Sequence, residues 1–217
     1  MILSERKTVS DSKEIFHREF PFVIPPVYRR ITDEILVELN LLTNQKNFSP
    51  DGIFSLGLRK AFHDLTKGYE PHSQLKGLFS ALCCSAGLNS IEIERNADNL
   101  LIKLREQNLS DYGSTLNKLN INSNERRIIA KGKGLDNYHN RLLSIGLLNI
   151  LEETIKDKDS QAESKLEELI GQLAESINLS PKRVEKDINS YKMNIEKLDK
   201  AIELFRLKAE EEKKKRA

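Results

Sequence analysis

The chain has 217 residues, with 35 Lys+Arg against 33 Asp+Glu and a formal net charge of +2. That near-balance argues against nucleic-acid binding, which calls for a clustered basic excess; the basic runs Arg126-Arg127 and Lys213 to Arg216 are short, and the second follows three glutamates. A hydrophobic content of 38% and a charged content of 31% fit a soluble globular protein, either one large domain or a domain with an appendage.

The helix signals recur along the chain, whereas strand and hairpin signals do not. Ser10 or Asp11 caps a first short helix reaching Phe20, followed by a proline-flanked extended connector from Pro21 to Pro26. A second helix runs from near Pro26 to about Thr43, with the stripe Tyr28, Ile31, Ile35, Leu39 and Leu42, widened by Leu36 and Val37. Ser49-Pro50 starts a third, whose stripe is Phe54, Leu58, Ala61, Phe62 and Leu65, with Gly68 as its stop. A fourth follows Pro71, carries Leu75, Leu78, Phe79, Leu82 and Cys83, and ends at Gly87. Asn89 with Glu92 forms a variant capping box for a fifth through Leu100, Leu101 and Leu104.

Leu109 to Gly134 is rich in Asn, Ser, Gly and Lys and reads as a mobile connector. Asp136 caps a helix with the face Tyr138, Leu142, Ile145, Leu148 and Leu151, and Ser160 with Glu163 is a capping box for one through Leu166, Leu169, Ile170 and Leu173. Ser180-Pro181 then opens a long terminal helix with apolar residues at Val184, Ile188, Tyr191, Ile195, Leu198, Ile202 and Phe205. The steps alternate four and three, a heptad pattern with isoleucine at each a position. The expected fold is all-α: a compact multi-helix bundle over residues 1–178, with a flexible connector at about 109–135, and a long coiled-coil-like helix over 179–217.

Chemistry is sparse. His17, His63, His72 and His139 offer no pair three or four residues apart, so no helical face presents a zinc site. Cys83 and Cys84 are adjacent, a spacing suited neither to a distant disulfide nor to a metal, and a reducing compartment is the default. Lys131-Gly132-Lys133-Gly134 lacks the spacing of a phosphate loop and reads as a flexible basic loop. No nucleophile elbow or paired catalytic carboxylates stand out, so no catalytic residue, cofactor or metal is expected. The charged start, Met1 to Ser12, is no signal or transit peptide, and the most apolar stretch, Leu142 to Leu151, is half of the ~20 residues a membrane span requires.

Two features remain as partner-binding candidates. Arg29 and Arg30 either brace the second helix through Asp33 and Glu34 or present a guanidinium pair to an acidic partner. The seam residues Ile188, Ile195, Leu198 and Ile202 pack back in part on the bundle or on a partner.

Several strings carry a family resemblance: Thr8-Val-Ser-Asp-Ser-Lys13, Ile24-Pro-Pro-Val-Tyr-Arg-Arg30, Asp33-Glu-Ile-Leu-Val-Glu-Leu39, Phe54-Ser-Leu-Gly-Leu58, Gly68-Tyr69 with Pro71, Phe79-Ser-Ala-Leu-Cys83, and Asn140-Arg-Leu-Leu-Ser-Ile-Gly-Leu147 leading to Leu151-Glu152. In this order, over roughly Thr8 to Glu175, the chain resembles the thylakoid formation protein family of cyanobacteria and chloroplasts. The resemblance implies a non-enzymatic, all-helical accessory protein in photosynthetic membrane biogenesis and photosystem II repair. It also implies an FtsH-type membrane protease of the thylakoid as partner, whose accumulation or stability the protein supports. The expected location is peripheral, on the cytoplasmic face of the thylakoid membrane and in the cytoplasm of a cyanobacterium. A rival expectation is a self-associating coiled-coil scaffold at the membrane surface; with only about three apolar heptads and bulky Tyr191 and Phe205 at d, a monomer is favoured.

Overall fold

The computed structural model describes residues 7–45, 48–106, 140–155, 166–176 and 179–216. These contain α1 (Val9–Glu19), α2 (Pro26–Thr43), α3 (Gly52–Leu65), a 3-10 turn (His72–Gln74), α4 (Leu75–Ser85), α5 (Ser90–Glu106), α6 (Arg141–Ile155), α7 (Leu166–Ser176) and α8 (Pro181–Arg216), and no strand. The all-α class and the long terminal helix, 36 residues, are as the periodicity predicts. The Leu109–Gly134 connector, the Asp136 cap, Tyr138 and the Ser160/Glu163 box lie outside the described residues.

Three helix starts differ from the sequence reading. At α1 the cap is Thr8, with Asp11 at the N3 position: Thr8 Oγ1 accepts from the Asp11 amide at 3.1 Å, and the Asp11 carboxylate accepts from the Thr8 amide at 2.8 Å. At α3 the Asp51 side chain, rather than Ser49, accepts from the Phe54 amide at 2.7 Å. At α6 the Asn140 side chain accepts from the Leu143 amide at 2.8 Å. In each case several Ser, Thr, Asp or Asn residues cluster, and only the backbone turn decides which one reaches the free amides. The end of α4 follows the reading closely. Gly87 adopts φ +74°, its amide donates to Cys84 O, and the Leu88 amide donates to Cys83 O.

The hydrogen bond from the Thr8 backbone holds the Asp11 carboxyl below its ordinary value. A carboxylate depressed in the folded state contributes stability above its unfolded pKa, about 3.9, and loses it as pH falls through the folded value. Replacing Asp11 with Ala is therefore expected to lower the thermal midpoint at pH 7. That gap should narrow in a thermal titration as the pH falls below the ordinary carboxylate range.

The chain groups into two compact units. The first comprises residues 1–49, 62–90 and 192–217; the second comprises 50–61 and 91–191, so α3 and α8 each supply one end to either unit. In the first unit α1 and α2 form an antiparallel hairpin against α4, since Lys13 pairs with Asp33 at 3.5 Å and the Asn40 amide donates to Ser12 Oγ at 2.8 Å and Thr8 O at 3.2 Å. Phe16, Phe20, Ile35, Leu36, Leu39, Tyr69, Leu78 and Leu82 form its core.

The second unit is organised by a close helix crossing. A Cβ built on Gly57 of α3 would lie 1.8 Å from Leu142 O of α6, and one on Gly146 would lie 2.2 Å from Ile53 O. The two backbones therefore touch where each helix has no side chain. Around this crossing Phe54, Leu56, Leu58, Leu142, Ile145, Leu147 and Leu148 are buried. At its edges Lys60 pairs with Glu152 at 2.9 Å, Arg59 pairs with Asp98, and Ser144 Oγ donates to Asp187 on α8 at 2.9 Å.

Candidate docking surface

The seam of α8 is covered unevenly. In the second unit Val184, Ile188 and Tyr191 are buried. In the first, Leu198 is buried and Ile195 and Ile202 are half-buried. A Cβ on Gly68 would lie 3.4 Å from Tyr28 Oη and 3.8 Å from Ile202 Cδ1, so Ile202 rests on the turn after α3. Lys67 of the same turn pairs with Asp199 at 3.4 Å. Beyond Ile202 the cover ends: Leu204 is 58% exposed, Phe205 53% and Leu207 45%. Exposed charges surround them, with Arg206 paired to Glu210 at 3.3 Å. A run of large apolar side chains on an otherwise charged helix end is the kind of surface a partner covers.

Ile188 and Leu198, two of the predicted contact residues, thus lie in the cores of their respective units. Ile195 and Ile202 are partly accessible. Leu204 and Leu207 lie off the heptad seam, so apolar spacing does not mark them; nothing local distinguishes a lone surface leucine from one that a partner covers.

Arg29 and Arg30 are both exposed on α2. Arg30 bonds Glu34 at 3.0 Å with the i, i+4 geometry expected of it. For Arg29 the expected brace through Asp33 is not what forms: Asp33 pairs with Lys13 of α1 instead. Arg29 makes no ion pair among the described residues. Behind it, Tyr28 Oη donates to Lys67 O at 2.9 Å, and its ring meets Tyr69 edge-on at 5.2 Å. Burial raises the pKa of both phenols, with Glu70 and Tyr69 adding to the rise at Tyr28. Both stay protonated at neutral pH and serve as anchors.

The remaining titratable candidates are dispersed. His63 contacts Asp64, His72 contacts Glu70, and His17 lies edge-on to Phe16; His139 is outside the described residues, as is the Lys131–Gly134 loop. Among the described residues no group of three or more His, Cys, Asp or Glu is placed to hold a metal ion. No described helix is long and apolar enough to cross a membrane. Cys83 is buried and Cys84 exposed.

Fold and surface together define an all-helical protein with an exposed arginine pair on its first hairpin and uncovered apolar side chains near the end of a long helix. The chain belongs to the thylakoid formation protein family: the family model matches residues 8–217. It is 40% identical to Protein Thf1 of Prochlorococcus marinus (strain MIT 9313) over 99% of this chain and 89% of that one. It is 32% identical to Protein Thf1 of Synechococcus sp. (strain CC9902) over 99% and 95%. Among solved structures it resembles Psb29, with a TM-score of 0.77, 26% identity, and coverage of 97% of this chain and 98% of that one. The family places the chain in thylakoid biogenesis in cyanobacteria and names no catalysed reaction.

Proposed function

We propose that the protein is a non-enzymatic accessory factor that binds an FtsH-type thylakoid protease, supports its accumulation, and so serves photosystem II repair. Family membership supports the membrane setting. The observation carrying the contact is the uncovered run Leu204, Phe205 and Leu207 beyond the point where α8 leaves its own core. Truncated aliphatic and aromatic anchors of this kind typically cost an interface 1 kcal/mol or more each, roughly fivefold in affinity.

The test keeps the fold intact. Removing the chain from Ser180 would strip Val184, Ile188 and Tyr191 from the second unit, so three surface changes are used instead: Leu204→Ser, Phe205→Ser and Leu207→Ser. Capture of the protease from solubilised thylakoid membranes, read with an antibody to it, is expected for the unaltered protein and at least about tenfold weaker for the triple variant. Equal capture by both moves the contact off α8; capture by neither removes the protease from this protein's partners.

A further inference from the structure

The turn between α1 and α2 is built in a way that the protease reading does not use. Its sequence is Phe20-Pro-Phe-Val-Ile-Pro-Pro26. The ends are anchored: Phe20 is 2% exposed and Ile24 7%. Phe20 stacks on Phe16 with ring centroids 6.2 Å apart, and its ring packs 3.9 Å from the position a Cβ on Gly77 of α4 would take. Between the anchors the two apolar side chains point outward: Phe22 is 54% exposed and Val23 82%. Phe22 is steadied by an edge-on contact with Phe20 at 5.2 Å. Pro21, Pro25 and Pro26 restrict the backbone on both sides, so little conformational entropy remains to be lost when the tip is engaged.

Positive charges outnumber negative ones around this tip. The antiparallel pairing that sets Lys13 against Asp33 brings Arg18, in the last turn of α1, alongside the first turns of α2, which carry Arg29 and Arg30. Lys76 adjoins Gly77, the α4 position under Phe20. Glu19, paired with Arg18 at 3.3 Å, Glu34, paired with Arg30 at 3.0 Å, and Glu70, close enough to act on Tyr28, are the acids at this end, so Arg29 and Lys76 carry its unpaired positive charge among the described residues; Asp33 lies further back, on Lys13.

We propose that this hairpin tip is a lipid-docking wedge: Phe22 and Val23 enter the acyl boundary of an anionic membrane surface, and Arg18, Arg29, Arg30 and Lys76 meet the headgroups. The occupant is a lipid surface rather than a protein for a geometric reason. Two adjacent side chains on a proline-stiffened turn offer far less than the roughly 800 Å² per partner of a stable protein interface. Shallow insertion of an apolar tip beneath a cationic rim is how peripheral proteins hold anionic bilayers.

The test is co-sedimentation of the full chain with vesicles of phosphatidylglycerol and phosphatidylcholine, or of phosphatidylcholine alone. The unaltered protein should bind the anionic vesicles and bind neutral ones much less. The double variant Phe22→Ser, Val23→Ser should bind anionic vesicles at least about tenfold more weakly. Its thermal midpoint should fall by no more than about 4 °C, because Val23 already faces water and Phe22 gives up little beyond its edge-on contact with Phe20. The proposal is overturned if the parent leaves anionic vesicles in the supernatant. It is equally overturned if the double variant binds as tightly as the parent, whether retention then maps to the α8 end or elsewhere. Parent and variant that differ only in protease capture would assign the tip to a protein and likewise overturn it.

Discussion

Replacing Gly57 with Ala is expected to disrupt the second unit. The new carbon would sit 1.8 Å from Leu142 O and 2.8 Å from the Gly146 amide nitrogen. Both are backbone atoms of a helix, so no side chain can swing aside; α3 and α6 must separate, and with them the buried contacts of Phe54, Leu58, Ile145 and Leu148 loosen. Overpacking of this kind costs about 3 kcal/mol or more, against a total stability of only about 5–15 kcal/mol. Gly77→Ala is the control. A Cβ there meets only the Phe20 ring, at 3.9 Å, and α4 should gain roughly 0.5–1 kcal/mol from losing a helical glycine. Thermal unfolding followed by circular dichroism measures both. If Gly57→Ala melts with the parent, the backbone-to-backbone crossing is not present in solution.

The second large effect separates two residues that heptad spacing treats alike. Ile188→Asp places a carboxylate where the isoleucine is 3% exposed, and it should cost about 4 kcal/mol or more, through lost burial and an unpaired charge. Phe205→Asp, on the same seam but 53% exposed, should change stability by no more than about 0.5 kcal/mol. Urea unfolding of the two variants reads the contrast directly. Comparable losses at both sites would show that the distal seam is covered as well as the proximal one, and the docking surface on α8 would then have no basis.

That contrast shows how far periodicity reaches. The predicted span of α2 coincides with the observed one, and its stripe is buried at Tyr28, Ile35, Leu36, Leu39 and Leu42. Yet the buried polar residues Thr32 and Asn40 on the same helix carried no local mark. Asn40 is interior because its amide satisfies Thr8 O and Ser12 Oγ across the hairpin, partners 32 and 28 residues away. The strings Phe54-Ser-Leu-Gly-Leu58 and Ser144-Ile-Gly-Leu147 marked the family without explaining themselves; their glycines turn out to be the two faces of one crossing.

The all-α class, the span of α2, the start of α8 at Pro181, the apolar spacing along it and the family all follow from residue order. Capping, glycine stops and apolar spacing act over a few positions and need no distant partner. Which serine, threonine or aspartate caps each helix, which half of the seam is spent in the core, and that Phe22, Val23, Leu204 and Leu207 face water while Phe20 and Ile24 do not, depend on packing between segments far apart in the chain. Burial is a property of the assembled surface, so an isolated apolar residue carries the same local signature whether it anchors a core or waits for a partner.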